Sequence, residues 1–398
     1  MNILADRIIR WGFYALFPGF FAYHFLVAKE WLPPVLGGYS SAMAALLVLP
    51  LGALFVLRVL NDPARRTGMD WAFLAFVGYY AAVMLMHLAL GSRSEAATEH
   101  FGVMVQFLSL YFCLRLLQLG DRSLARWLVV FLLAMTATIA INAEEGLFVV
   151  AAYDLLLSGS HFATYQAYAF IFLVTQLLVL APIQRLTWRI LVYCIAAPTL
   201  FLNGARTEFV GFLLLALVLE FLLSRHKLLM IGAAALVVLL AWAALPILAE
   251  LYPESRTVFL FLDYSQDISA NQRAQMLGEG LQSIADNPWL GALGSHAPGE
   301  HIHNGLSAWV DLGLLGFVLY GLLILLPTLD LCVYRIRQLH DPQVRLAFSL
   351  LFLVALFAIT SKHYTHQLLP LALAAYARVR SGEPRGATAP VQAAIALG

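Results

Sequence analysis

Long apolar runs, separated by short polar stretches, recur from one end of this sequence to the other. A membrane-spanning helix needs about 20 mostly apolar residues. Runs close to that length are expected to cross at 11–28, 38–57, 71–91, 101–119, 127–143, 163–183, 190–203, 208–223, 228–248, 305–329, 346–360 and 366–377, about twelve in all. Composition agrees, since 62% hydrophobic residues, 12% charged residues and a mean hydropathy of +0.81 fall outside what soluble domains sustain. The predicted fold class is an all-α polytopic membrane protein, a single membrane domain over 1–398. One long connection, 249–304, joins the ninth and tenth spans and is expected to contain a helix.

Lys and Arg concentrate on cytoplasmic connections. With the N-terminus inside, 18 of the 24 basic residues fall on the cytoplasmic side, and only Lys29, Arg93, Arg206, Arg256, Arg273 and Lys362 lie outside. Both termini are then cytoplasmic and the long loop is extracytoplasmic. Arg7 and Arg10 precede an apolar run, as in a signal peptide, but FPGFFAYHFL is bulky and no small-x-small cleavage site follows, so the first helix reads as uncleaved. Cys113, Cys194 and Cys332 fall within or at the ends of spans, which indicates neither a disulfide framework nor a zinc site. The stretch 143–162, polar at its ends and apolar in the middle, suggests a segment lying in or dipping into the interface.

Within the long loop, DISANQRAQMLGEGLQSIADNPWLG reads as a helix, with Ser269 or Asn271 as its cap and Asn287-Pro288 as its stop. Leu277, Leu281 and Ile284 share one face, and one turn before Leu277 stands Arg273. An arginine in line with a buried stripe either serves the site or snorkels at the rim. Arg206 lies in NGARTE, between two runs barely long enough to span. A planar guanidinium beside backbone donors freed by Gly204 suits a phosphate, although a lipid-headgroup anchor would show the same pattern.

HIHNGLSAWVDLGLLG (301–316) places His303 and Asn304 at the mouth of the tenth span, on the same side as both arginines. Imidazole can take a proton from a hydroxyl near neutral pH and release it again. Gly313 and Gly316 are expected on one helix face, allowing close packing, and Asp311 reads as a hydrogen-bonded acid holding the span in register. His24 and His87 read as structural, and His226 and His340 as cytoplasmic. The spacing of His296, His301 and His303 matches no common metal-ligand pattern. SKHYTH (361–366) adds Lys362, His363 and His366 to the same face, to hold a phosphorylated partner or to mark the interface. The sequence calls for no cofactor, and nothing in it points to a nucleic-acid partner.

About twelve spans, an arginine in a short outer turn, and a long outer loop carrying Arg273, PWLGALGS, HIHN and GLLG resemble the O-antigen ligase/polymerase family of bacterial inner membranes, best over roughly 200–320. The resemblance implies a glycosyltransferase that moves a glycan from an undecaprenyl-diphosphate-linked O-antigen donor to an acceptor on the periplasmic face. For a ligase the acceptor is lipid A-core; for a polymerase it is another lipid-linked repeat. With that reading Arg206 and Arg273 fall on the diphosphate and His303 is the base, His301 being the alternative, while Asn304, His301, Lys362 and His363 are the expected substrate-binding residues. Attack opposite the leaving group would invert the anomeric centre. No Asp-x-Asp triplet accompanies these residues, so the arginines would do what a metal does in many glycosyltransferases. A transporter is the rival class, but transporters gather polar residues near the midplane of repeated halves, and here they gather on one side.

Overall fold

The computed structural model describes residues 3–35, 39–91, 94–148, 164–253, 255, 257–258, 268–295 and 302–382. In chain order the helices are α1 (Ile3–Ala28), α2 (Tyr39–Leu60), α3 (Gly68–Ala89), α4 (Ser94–Leu116), α5 (Arg122–Ile141), α6 (Tyr165–Leu180), α7 (Leu186–Asn203), α8 (Arg206–Leu223), α9 (Lys227–Leu251), α10 (Ile268–Asp286), α11 (Ser307–Leu329), α12 (Pro342–Thr360) and α13 (Leu368–Ser381). A hairpin of two two-residue strands, β1 (Ala143–Glu144) and β2 (Leu147–Phe148), follows α5. It occupies the start of the segment expected in the interface; residues 149–163 lie outside the described residues. The protein is an all-α polytopic membrane protein. Each predicted span coincides with a helix, and α10 is the helix of the long connection. Among the described residues α1, α2, α3, α5, α7, α9, α11 and α12 are long and apolar enough to cross a membrane.

Helix starts differ from the hydropathy boundaries because caps are polar. Asp341 accepts a hydrogen bond from the Gln343 amide at 2.9 Å and Pro342 opens the first turn, so α12 begins at 342 rather than 346. Asp121 accepts from Ser123 N at 2.8 Å and sets the start of α5 in the same way. Two helices that are apolar all round have opposite surroundings. From Tyr168 to Leu180 every residue of α6 is buried, whereas only Leu245 of α9 is. α6 is therefore a core element and α9 presents almost its whole surface outward.

Ion pairs tie one end of the bundle together. Arg58 reaches Asp6 at 2.6 Å, Arg10 reaches Asp121 at 2.9 Å, and Arg189 grips Glu220 through two nitrogens at 2.6 and 2.7 Å. The buried Arg115 is paired with the buried Asp70 at 3.0 Å and donates to the Arg65 carbonyl, while Arg378 donates to the Arg115 carbonyl. Arg345 donates to the Ala181 and Ile183 carbonyls, filling acceptors left open at the C-terminal end of α6. All these arginines belong to the set predicted to lie on one side of the membrane. The α7–α8 turn, the start of α11 and the end of α12 lie at the other end.

There the long connection is locked to α11 by two glycines. Gly313 has φ 72° and ψ −177°, so α11 is broken at this point, not continuous as expected. A Cβ on Gly313 would lie 2.1 Å from the Trp289 carbonyl oxygen, and one on Gly291 (φ 71°) would lie 2.5 Å from the Asp311 carbonyl oxygen. Only bare backbone fits on either side. Across the contact Ala292 N donates to Val310 O at 2.6 Å, Leu314 N to Pro288 O at 3.0 Å and Trp309 Nε1 to Pro288 O at 2.9 Å. Gly316 does pack closely, against Tyr79 of α3, whose hydroxyl donates to the Leu312 carbonyl at 2.8 Å.

Candidate active site

The α7–α8 turn needs only two residues. Gly204 closes α7 in the left-handed region (φ 78°), where an L side chain is strained and a Cβ would press on Leu147, and Ala205 leads into Arg206, the first residue of α8. Arg206 and Glu208 thereby stand in one helical turn, at the end where unsatisfied backbone N–H groups favour anions.

α10 lies against the start of α11 and the segment before it. Its inward face is Arg273, Leu277, Gly280 and Ile284; Leu281, expected there, is half exposed, and Gly280 takes its place. A Cβ at Gly280 would fall 2.0 Å from Cδ1 of Ile302, so Ile302 seats where the helix has no side chain and brings the next residue, His303, beside Arg273. The helix ends at Asp286, just before Asn287-Pro288, as predicted. It already runs at Ile268, so neither Ser269 nor Asn271 caps it. Asn304 fixes the following turn: its Oδ1 accepts from Leu306 N at 2.9 Å, and its carbonyl accepts from Ser307 Oγ at 2.7 Å.

A cavity of about 510 Å³ lies between these elements, lined by Arg206, Glu208, Arg273, His303 and Asn304. Val210, Leu214, Leu356 and Phe357 supply an apolar part of the same wall. Two arginines and a histidine that are far apart in sequence thus share one concavity. Burial pushes the His303 imidazole down to about 4, and the charges of Arg273, His363 and Lys362 act in the same direction. At neutral pH the ring is uncharged and able to accept a proton.

Lys362 and His363 do not line this cavity. Lys362 is buried behind it, its Nζ 2.7 Å from Glu208 Oε1 and 3.3 Å from Gln166 Oε1. His363 Nε2 lies 3.4 Å from Oδ2 of the buried Asp311, and its Nδ1 is 2.8 Å from Thr365 Oγ1. His301 and His296 lie outside the described residues. His87 comes within 3.4 Å of the Leu290 carbonyl, on the same clamp that holds α10. The residue that sequence reasoning missed is Glu208. Its signal was there: an acid two positions after Arg206, in an apolar run, with Lys362 as the cation on the same side.

Residues 190–321 match the family model described as O-Antigen ligase. This part of the chain is similar to the O-antigen ligase family. The matched stretch runs from α7 into α11 and includes Arg206, Arg273, His303 and both clamp glycines, whereas Lys362 and His363 lie beyond it. That family implies, in general, a membrane enzyme of glycosyl transfer with a polyprenyl-linked glycan as donor and a lipid acceptor. No curated protein matches the chain.

Proposed function

We propose that the protein is an O-antigen ligase of the bacterial inner membrane, transferring a glycan from undecaprenyl diphosphate to lipid A-core at the periplasmic face. The observation that carries the reading is the single cavity shared by Arg206, Arg273 and His303. Its polar part suits a sugar diphosphate, and Val210, Leu214, Leu356 and Phe357 suit the start of a lipid chain.

In this mechanism an acceptor hydroxyl oxygen attacks the anomeric carbon from the face opposite the diphosphate. The bond from that carbon to the diphosphate oxygen breaks with its electron pair, the leaving group departs as an anion, and the hydroxyl proton passes to His303. Arg206, Arg273 and the first turn of α8 stabilise the charge that grows on the leaving oxygen, which lowers the barrier more than it tightens binding. Burial first, and then Arg273, hold His303 at a low pKa. A bound diphosphate offsets that positive field and raises the basicity of the ring when a base is needed. Asn304 shapes the turn that presents His303, and Lys362 and His363 act through Glu208 and Asp311 respectively.

The test is purified protein with a lipid-diphosphate glycan, offered lipid A-core and, separately, a second lipid-linked repeat, with and without chelator. Glycan on lipid A-core, undiminished by chelator, is the expected product. Elongation of the lipid-linked repeat alone would make the protein a polymerase, and loss of transfer in chelator would assign the missing charge stabilisation to a metal.

A further inference from the structure

Glu208 is not explained by a diphosphate site. It is 1% exposed, lines the cavity, and stands two residues from an arginine assigned to an anion. Lys362 neutralises it through Oε1 at 2.7 Å. Its carboxylate oxygens lie below the surface, and Oε2 accepts no hydrogen bond among the described residues. A buried carboxylate oxygen with no donor is costly, and such groups in native structures call for a partner. Glu208 lines the cavity wall, so a ligand that draws the carboxylate outward by a small side-chain movement can supply the partner.

Building on the donor reading above, we propose that Glu208 accepts a hydrogen bond from the sugar that carries the diphosphate, from a ring hydroxyl or an acylamino N–H next to the anomeric centre. Arg206 and Glu208 both line the cavity, so a diphosphate on the arginine can bring the attached sugar to the carboxylate. An anion repels phosphate and accepts from O–H and N–H, so the two side chains sort the two halves of one substrate. Lys362, buried behind the wall, pairs with Glu208 from the side away from the cavity. A site built to pair with a donor group rejects an analogue lacking it far more strongly than an apolar pocket rejects a missing methylene.

The test uses detergent-purified full-length protein and four synthetic probes: farnesyl diphosphate linked to glucose, to N-acetylglucosamine, to 2-deoxyglucose and to 3-deoxyglucose. Binding is measured for the wild type, for Glu208→Gln, and for Glu208→Gln combined with Lys362→Met, which removes the pair without leaving a buried lone charge. The wild type should bind at least one deoxy probe about 10- to 100-fold more weakly than its parent, the range of a hydrogen bond to a charged acceptor. In both variants that ratio should fall toward one while the farnesyl diphosphate contribution persists. Which probe is discriminated tells O–H from N–H. Ratios that are equal in wild type and variants overturn the proposal, even if the wild type transfers glycan normally. Failure of the wild type to bind any of the four probes would sink the donor reading and this inference with it.

Discussion

Replacing Gly313 by alanine should release the long connection from α11 while leaving the bundle folded. The backbone there has φ 72° and ψ −177°, a region that only glycine occupies readily, and forcing another residue into it costs about 1–3 kcal/mol. The new Cβ would also lie 2.1 Å from the Trp289 carbonyl oxygen, 2.5 Å from its carbonyl carbon and 2.8 Å from that of Leu290. These are backbone atoms and cannot rotate aside. The turn must back away, weakening the bonds from Ala292 N to Val310 O, Leu314 N to Pro288 O and Trp309 Nε1 to Pro288 O, each contributing about 0.5–1.5 kcal/mol. A combined cost of about 2–5 kcal/mol, concentrated at the clamp, should speed hydrogen exchange of the Ala292 and Leu314 amides by about 30-fold or more. Exchange in α6 should not change. Gly321→Ala on the same helix is the control, because a Cβ there meets nothing within 4 Å. Unchanged protection at Ala292 and Leu314 in Gly313→Ala would refute the clamp and the account of how α10 brings Arg273 to His303.

Acid should affect binding and turnover differently. His303 is active when neutral and its pKa is lowered to about 4, so kcat/KM for the donor, which reports the free enzyme, should hold from neutral pH down to about 5 and fall near 4. The acid limb of kcat, which reports the donor complex, should lie at higher pH; a kcat/KM limb already at pH 6–7 would contradict the environment described for the ring. In a background lacking Cys113, Cys194 and Cys332, cysteines at positions 66, 225 and 340 should resist a membrane-impermeant label in spheroplasts, and one at Ser295 should react. Labelling in the reverse pattern would invert the topology.

Hydropathy made the twelve bundle helices legible, because each apolar run had to be a helix. It could not say which faces lipid: α6 and α9 read alike, yet one is surrounded by protein and the other is nearly bare. The arginines and His303 were legible as polar groups out of place on one side of the membrane. What linked them was not, since the Gly280–Ile302 fit and the Gly291–Gly313 contact join segments whose relation no periodicity reports. GLLG looked like a small-residue helix face, and half of it is a break. Glu208 and Lys362 stood alone in the sequence and became a pair only through the fold.

The division of labour between the arginines and His303 is tested most directly by donor affinity and single-turnover transfer measured on the same preparation of His303→Ala, with Arg206→Lys and Arg273→Lys beside it. Loss of the base should slow transfer by roughly 100- to 10,000-fold and leave donor affinity nearly unchanged. The lysine variants keep a charge but lose the planar fork, and should weaken donor binding and transfer together. His303→Ala with full turnover would move the base elsewhere, to His301 first, and His303→Ala that cannot bind donor would place the histidine on the diphosphate instead of on the proton.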